Sequence, residues 1–173
     1  MLTNYEIRHT TPEDLASVYE LFEHSIVYQE RHGYPAWKNY DKGAIVRDIE
    51  NGHQYKIMID GTIALVFSVA YSDKVIWREM DQGESIYLHR IVTNPQFKGQ
   101  RLFGQILAWC HQHIREKGLR SIRMDTWADN PTIIQYYRSF GFEVVDNFTT
   151  PNSVELPLHN RNLALTLLEY RSS

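Results

Sequence analysis

The chain has 173 residues, of which 43% are hydrophobic and 23% charged, the composition of an ordinary globular domain with enough apolar residues for a core. Its 18 basic and 21 acidic residues leave a net charge of −3, which argues against nucleic acid or an anionic membrane as partner. The longest apolar stretch, residues 62–71, is too short to cross a bilayer, and the opening MLTNYEIRHTT lacks the apolar centre of a secretory leader. A single cysteine, Cys110, leaves no internal disulfide framework and no thiolate zinc cluster, and it suits a reducing, cytoplasmic setting.

No repeat, low-complexity segment or Pro/Gly/Ser-rich linker interrupts the chain, so one domain over residues 1–173 is expected. Tyr5 to His9 reads as a strand, and Thr11-Pro12-Glu13-Asp14 opens a helix with Thr11 as its N-cap. Leu15, Val18, Tyr19, Phe22 and Ile26 recur at helical spacing and mark the face turned to the core. RHGYPAWKNY, residues 31–40, breaks the helix and leaves three aromatics in a loop. A helix over Lys42 to Asn51 follows, then strands Gln54 to Ile59 and Thr62 to Tyr71 joined by the hairpin pair Asp60-Gly61.

Ser85 to Thr93 is an almost continuous apolar strand, as in sheets buried on both faces. Leu102, Phe103, Ile106, Leu107, Cys110 and Ile114 line one face of a helix that starts near Arg101 and that Gly118 can close. Ile122, Met124 and Thr126 alternate as a strand, and Asn130-Pro131 opens a further helix that Gly141 ends. Phe142 to Phe148 and Leu163 to Tyr170 close the chain as strands. The order strand, helix, strand implies a parallel pair with a right-handed crossover, hence an α/β fold with a mixed sheet.

The segment NPQFKGQRLFG, residues 94–104, carries basic residues and two glycines from a strand into a helix N-terminus. Free backbone N–H groups and the helix dipole make such a place suited to a phosphate or pyrophosphate, although an ordinary strand-to-helix turn has the same look. No GK[ST] follows at the Walker spacing and no GxGxxG is present, so ATP and NAD are poorly supported. Metal is not expected either: His111 and His113 diverge at a two-residue spacing, and no HExxH occurs.

The stretches TNPQFKGQRLFGQIL and NPTIIQYYRSFGF resemble the GCN5-related N-acetyltransferases, the GNAT family. That family has a strand ending V-x-P, then [RQ]-x-x-G-x-[GA] opening a helix, then N-x-x-A-x-x-x-Y-x-x-x-G-F. The resemblance covers residues 85–145 well, and Asn130, Tyr137, Gly141 and Phe142 fall on the second pattern. In the first pattern Lys98 stands at the Arg/Gln position, Arg101 at the first glycine and Phe103 at the Gly/Ala. Those glycines admit a pyrophosphate close to the backbone, so side chains there could crowd it. The resemblance implies a GNAT-type sheet whose parallel strands, Ser85 to Thr93 and Arg120 to Trp127, splay around the pantetheine arm of coenzyme A. Ile91, Val92 and Thr93 would hold that arm, Lys98, Gly99, Gln100, Arg101, Leu102, Phe103 and Gly104 the pyrophosphate, and Asn130 the arm from the other side, besides capping its helix.

The implied activity is transfer of acetyl from acetyl-CoA to a primary amine of a small molecule or peptide, by direct attack through a tetrahedral intermediate. An amine with a pKa of about 10 must lose a proton before it attacks, and the departing thiolate needs one. Tyr137 sits at the family's tyrosine position as the acid; its spacing with Ile133 and Phe140 equally suits a packed aromatic. His89, four residues before Thr93, is the candidate base, with Glu84 behind it, while a strand histidine without a role is the plainer reading. Alternation groups Tyr87, His89, Ile91 and Thr93 on one face. Cys110 lies nine residues from Arg101, about 14 Å at helical rise, which points to a buried structural thiol rather than an acyl carrier.

For the acceptor, Tyr34, Trp37, Trp127 and Phe148 offer aromatic walls, with Glu30 and Asp129 as partners for a cationic amine; packing of the loops would account for the same aromatics. The sequence leaves a homodimer open. Two other readings stand beside acetyl transfer: an idle acyl-CoA sensor with a degenerate phosphate loop, and a phosphate-bearing ligand unrelated to coenzyme A.

Overall fold

A computed structural model describes residues 4–34, 36–37, 40–156 and 158–172. Contacts group the chain into two compact units, Met1–Ser68 with Arg90–Leu102, and Val69–His89 with Phe103–Ser173. Strand β4 (Ser85–Thr93) passes from the second unit to the first between His89 and Arg90.

The first unit begins with β1 (Tyr5–His9), followed by a 3-10 turn over Pro12–Asp14 and helix α1 (Leu15–Arg31). The Thr11 N–H donates to the Asp14 carboxylate at 2.8 Å, which fixes the entry to the helix. Asp14 also receives the Lys56 ammonium at 2.6 Å. Burial pushes the Asp14 carboxyl up, but Lys56 and the Thr11 N–H outweigh it and hold the group below the usual carboxylate range. Helix α2 (Lys42–Glu50) starts on Asp41, whose side chain accepts from the Ala44 N–H. Strands β2 (Gln54–Ile59) and β3 (Thr62–Ala70) form the expected hairpin, with Asp60 and Gly61 both left-handed at φ 50° and 77°. β1 and β3 flank β2 in antiparallel register.

The core of this unit is Val18, Leu21, Phe22, Ile45, Ile49, Val66 and Val92. Leu15 and Tyr19 of the predicted stripe pack at its margin, and Ile26 is half-buried.

In the second unit, residues 72–84 form an element that sequence patterning leaves blank: a short helix α3 (Lys74–Trp77) and a 3-10 turn Arg78–Met80. Four residues give no period to read. Helix α4 spans Phe103–Lys117 and α5 spans Pro131–Arg138, with β5 (Ser121–Trp127) between them. β6 (Glu143–Thr149) and β7 (Ala164–Arg171) are antiparallel to each other, and β7 pairs with β5 along its whole length. β4 joins β5 in parallel, which gives the mixed α/β sheet with a parallel pair and flanking helices that the sequence implies. Ile76, Trp77, Tyr87, Leu165 and Leu167 form a core of this unit. No helix among the described residues is long and apolar enough to cross a membrane.

Gly141 shows why α5 must stop where it does. Its φ of 101° is open to glycine, and a Cβ there would lie 2.8 Å from Tyr170 Cε2. The ring of Tyr170 therefore occupies the space of a missing side chain, and Phe142 follows directly into the core.

Candidate active site

The parallel register between β4 and β5 runs only from Ser85↔Ser121 to Tyr87↔Arg123, although β4 continues to Thr93 and β5 to Trp127. A 2.6 Å contact between the Ser85 and Ser121 hydroxyls ties the closed end. The next positions on the same faces are His89 and Asp125, at the point where pairing has ceased. His89 Nε2 lies 2.9 Å from Asp73 Oδ2, and donor atoms of Asp73, His89 and Asp125 all fall within 4.8 Å of one another. One imidazole and two carboxylates, each partly buried, are thus gathered where the strands part.

The Asp125 side chain makes no hydrogen bond among the described residues. Burial pushes its carboxyl up to about 6, Asp73 adds to the rise, and His89 opposes it. Tyr137 is 8% exposed, its hydroxyl has no hydrogen-bond partner among the described residues, and burial raises its pKa, assisted by Tyr136 and Asp125. A phenol so placed stays protonated, as a proton donor must be. Asp125 is therefore felt electrostatically by both His89 and Tyr137.

Asp73 is fixed by its own support. The carboxylate of Asp81, 5% exposed, accepts from the Asp73 N–H at 2.8 Å and from the Ser72 hydroxyl at 2.9 Å, with Gly83 N–H at 3.4 Å. Burial alone would raise Asp81, but these donors and the Tyr87 hydroxyl hold it below the usual range. Tyr87 in turn accepts from Arg123 at 3.0 Å, and Arg123 donates to Glu169 at 2.6 Å and to the Met80 carbonyl at 2.8 Å while stacked over Trp77. Burial pushes the Tyr87 phenol up to about 12, with Arg123 opposing and Asp81 reinforcing. The groups around His89 rest on a buried hydrogen-bonded network, which rigidifies the residues it joins.

Sequence reasoning passed over Asp73 and Asp125. Nothing local marks Asp73. Asp125 did carry a signal: Arg123 and Asp125 put charge on one face of a strand whose other face is Ile122 and Met124. Glu84, the second candidate base, is exposed at the opposite end of β4, five residues or about 16 Å from His89 along an extended chain. Cys110 is fully buried and burial raises its thiol pKa strongly, as expected of a structural cysteine.

In the first unit β4 contains one left-handed residue, Arg90 at φ 51°. Its guanidinium is held by the Asp48 carboxylate, with Nε at 3.1 Å. Val92 is a core residue, while Ile91 and Thr93 are half-buried. The loop after β4 is pinned by Asn94, whose N–H donates to the Ala64 carbonyl and whose side chain donates to Ile63. Gly99 and Arg101 are left-handed at φ 80° and 51°, so the backbone adopts at Arg101 a conformation usually reserved for glycine. The helix accordingly begins at Phe103 rather than at Arg101. Four N–H groups of the loop are spent locally, Gln96 on the Asn94 side chain, Phe97 on the Asn94 carbonyl, Lys98 on Pro95 and Gln100 on Phe97. The Lys98 ammonium sits over the Tyr28 ring, 3.1 Å from its centroid, and burial lowers its pKa. Leu102 is buried.

In the second unit the Phe103 side chain belongs to the core: it is 3% exposed and packs against Tyr136, Tyr137, Phe140 and Phe142 at ring distances of 5.0–6.4 Å. A Cβ on Gly104 would meet only an ordinary contact with Phe140. Asn130 is buried, and its side-chain oxygen accepts from the Ile133 N–H as the cap of α5. Of the acceptor candidates, Trp127 and Phe148 pack against the Trp77 core in this unit, and Asp129 is exposed. In the first unit Trp37 packs at the edge of the core with its ring 5.8 Å from Phe22, Tyr34 stacks near His32, and Glu30 is exposed.

The sequence model of the acetyltransferase (GNAT) family matches residues 15–142. An N-acetyltransferase of Bacillus subtilis, YesJ, itself described as uncharacterized, is 30% identical over 139 residues, covering 76% of this chain and 77% of that protein. A GNAT-family acetyltransferase structure from Listeria monocytogenes superimposes with a TM-score of 0.77 at 20% identity, over 97% of this chain and 95% of that one. The yncA acetyltransferase of Salmonella typhimurium, described with its cofactor acetyl-CoA, superimposes at 0.66 and 18% identity, over 96% and 93%. The sequence match runs from the first residue of α1 to the phenylalanine after Gly141, far beyond any one motif, and on it the chain belongs to the GNAT family of acetyltransferases.

Proposed function

We propose that the protein transfers an acetyl group from acetyl-CoA to a primary amine of a small molecule or peptide, in the cytoplasm, with His89 as general base and Tyr137 as general acid. The observation that carries the reading is the imidazole of His89 set against Asp73 where the β4–β5 register ends. Acetyl-CoA supplies an activated thioester. His89 takes the proton from the ammonium so that the nitrogen lone pair can attack, and Tyr137 returns a proton to the leaving sulfur. A backbone N–H of the parting strand would stabilise the oxyanion of the tetrahedral intermediate. The donor-binding roles of Ile91 to Thr93, Lys98 to Leu102, and of Phe103, Gly104 and Asn130 carry over from the motif residue by residue. The left-handed backbone at Gly99 and Arg101 favours them, since it leaves the loop shaped as glycine would shape it. For Phe103 the contribution is its backbone alone, its ring being committed to the core.

One imidazole and two carboxylates also have the composition of a divalent-cation site. We assign His89, paired with Asp73 at 2.9 Å, to proton transfer.

The test is release of free thiol from acetyl-CoA across a panel of primary amines, with Tyr34, Trp37 and Trp127 variants reporting on the acceptor. Turnover that saturates with one amine class supports the reading. Saturable acetyl-CoA binding with no thiol release from any amine would overturn it in favour of an idle acyl-CoA sensor.

A further inference from the structure

We infer that Asp73 is a positioning residue that fixes the tautomer of His89, so that Nδ1 is the nitrogen that removes the proton. The inference rests on the proposed role of His89 as base. A carboxylate oxygen only accepts, so the ring nitrogen 2.9 Å from Asp73 Oδ2 must carry hydrogen, and that nitrogen is Nε2. In a neutral imidazole the lone pair then belongs to Nδ1. The ammonium proton passes to Nδ1, the amine keeps the electron pair, and the resulting imidazolium keeps its Nε2–H on Asp73 until Nδ1 releases the proton to water.

Three features separate this pairing from a chance ion pair on a strand. The Asp73 side chain is only 10% exposed and that of His89 24%, so water competes weakly for the bond. The Asp73 backbone is anchored on both sides, its N–H bound to the buried Asp81 carboxylate and its carbonyl accepting from the Trp77 N–H at 2.9 Å, the first turn of α3. Asp81 is held in its turn by Ser72, Gly83 and Tyr87. The segment 72–84 thus builds its buried polar centre on Asp81 and presents Asp73 to His89. Asp125 lies close to the same imidazole without a hydrogen bond, so the bond that orients the ring comes from Asp73.

The experiment is nitrogen-15 NMR of the histidine rings in the whole protein above pH 8, with the His89 signals assigned by their loss in His89→Gln. The expected result is a protonated Nε2 and a bare Nδ1 in the native protein, which needs no variant at position 73. Asp73→Asn, whose carboxamide can donate or accept, should give mixed tautomers and lower kcat by about 10- to 100-fold, part of the range that a positioned base contributes, with KM for acetyl-CoA unchanged. A native His89 protonated on Nδ1 would overturn the inference, as would an Asp73→Asn protein with the native tautomer and native kcat. If the native protein shows the Nε2–H tautomer yet acetylates no amine, the pairing stands and the transfer reading fails.

Discussion

At the residue scale, the proposed chemistry asks opposite things of two groups. As base His89 would lose and gain a proton, and as acid Tyr137 would keep one until the sulfur leaves. Changing His89 to Gln should flatten the acid limb of the pH–rate profile and lower kcat by about 10²–10⁴-fold; an unaltered profile would remove His89 from the mechanism. Tyr137→Phe keeps the ring that packs against Phe103 at 5.0 Å and removes only the hydroxyl. It should therefore leave thermal stability near native while lowering kcat, a pairing that a purely packed aromatic would not give. Asp125 makes a different prediction. Its raised pKa, about 6, means the folded state binds this proton more tightly than the unfolded chain, so the carboxylate weakens the fold above that pH and ceases to as pH falls toward 4. Asp125→Asn should then stabilise the protein at pH 7.5 by on the order of 1 kcal/mol, allowing for solvent screening of a half-buried group, measurable as a rise in melting temperature that disappears near pH 4.

At the element scale, the β3–β4 connection and the β4–α4 loop answer to different rules. Asp81 satisfies two N–H groups and a hydroxyl inside the connection, so Asp81→Ala should cost about 1–3 kcal/mol in denaturant unfolding and lower kcat by releasing Asp73. In the loop, Phe103 fills core space between Tyr137, Phe140 and Phe142, and Phe103→Ala should cost about 3–5 kcal/mol. Arg101→Gly relieves a left-handed side chain at the expense of unfolded-state freedom, and these nearly cancel, leaving a change below about 1 kcal/mol. The elements themselves were largely legible: Gln54–Ile59 and the Asp60-Gly61 turn follow from strand patterning and turn chemistry, Ser85–Thr93 from its almost continuous apolar run, and Gly141 from its place after α5. The four residues of α3 were not, since a single turn has no period, and the left-handed backbone at Arg90 was not, since no glycine announces it.

At the scale of the whole molecule, stability and ligand report together. Asp14, Asp81 and Glu169 all have carboxyls held below their usual range, so each contributes stability above about pH 4, which is lost as pH falls through the lowered values. Acid unfolding should begin below about pH 4. Acetyl-CoA at 100 times its Kd should add about 2.7 kcal/mol, read as a rise in melting temperature, and dialysis against a chelator should leave turnover unchanged if the Asp73, His89 and Asp125 group works without metal. The sequence by itself determined the α/β class and the parallel strand pair, because these rest on periodicity and turn residues along the chain, and its resemblance to a known family supplied the family and the two groups proposed for proton transfer. Only the tertiary structure decided that Asp73 and Asp125 meet His89, that Phe103 belongs to the core and that Lys98 covers Tyr28. Those are meetings of residues from 16 to 70 positions apart in the chain, or choices of direction for one side chain, and neither leaves a local pattern to read.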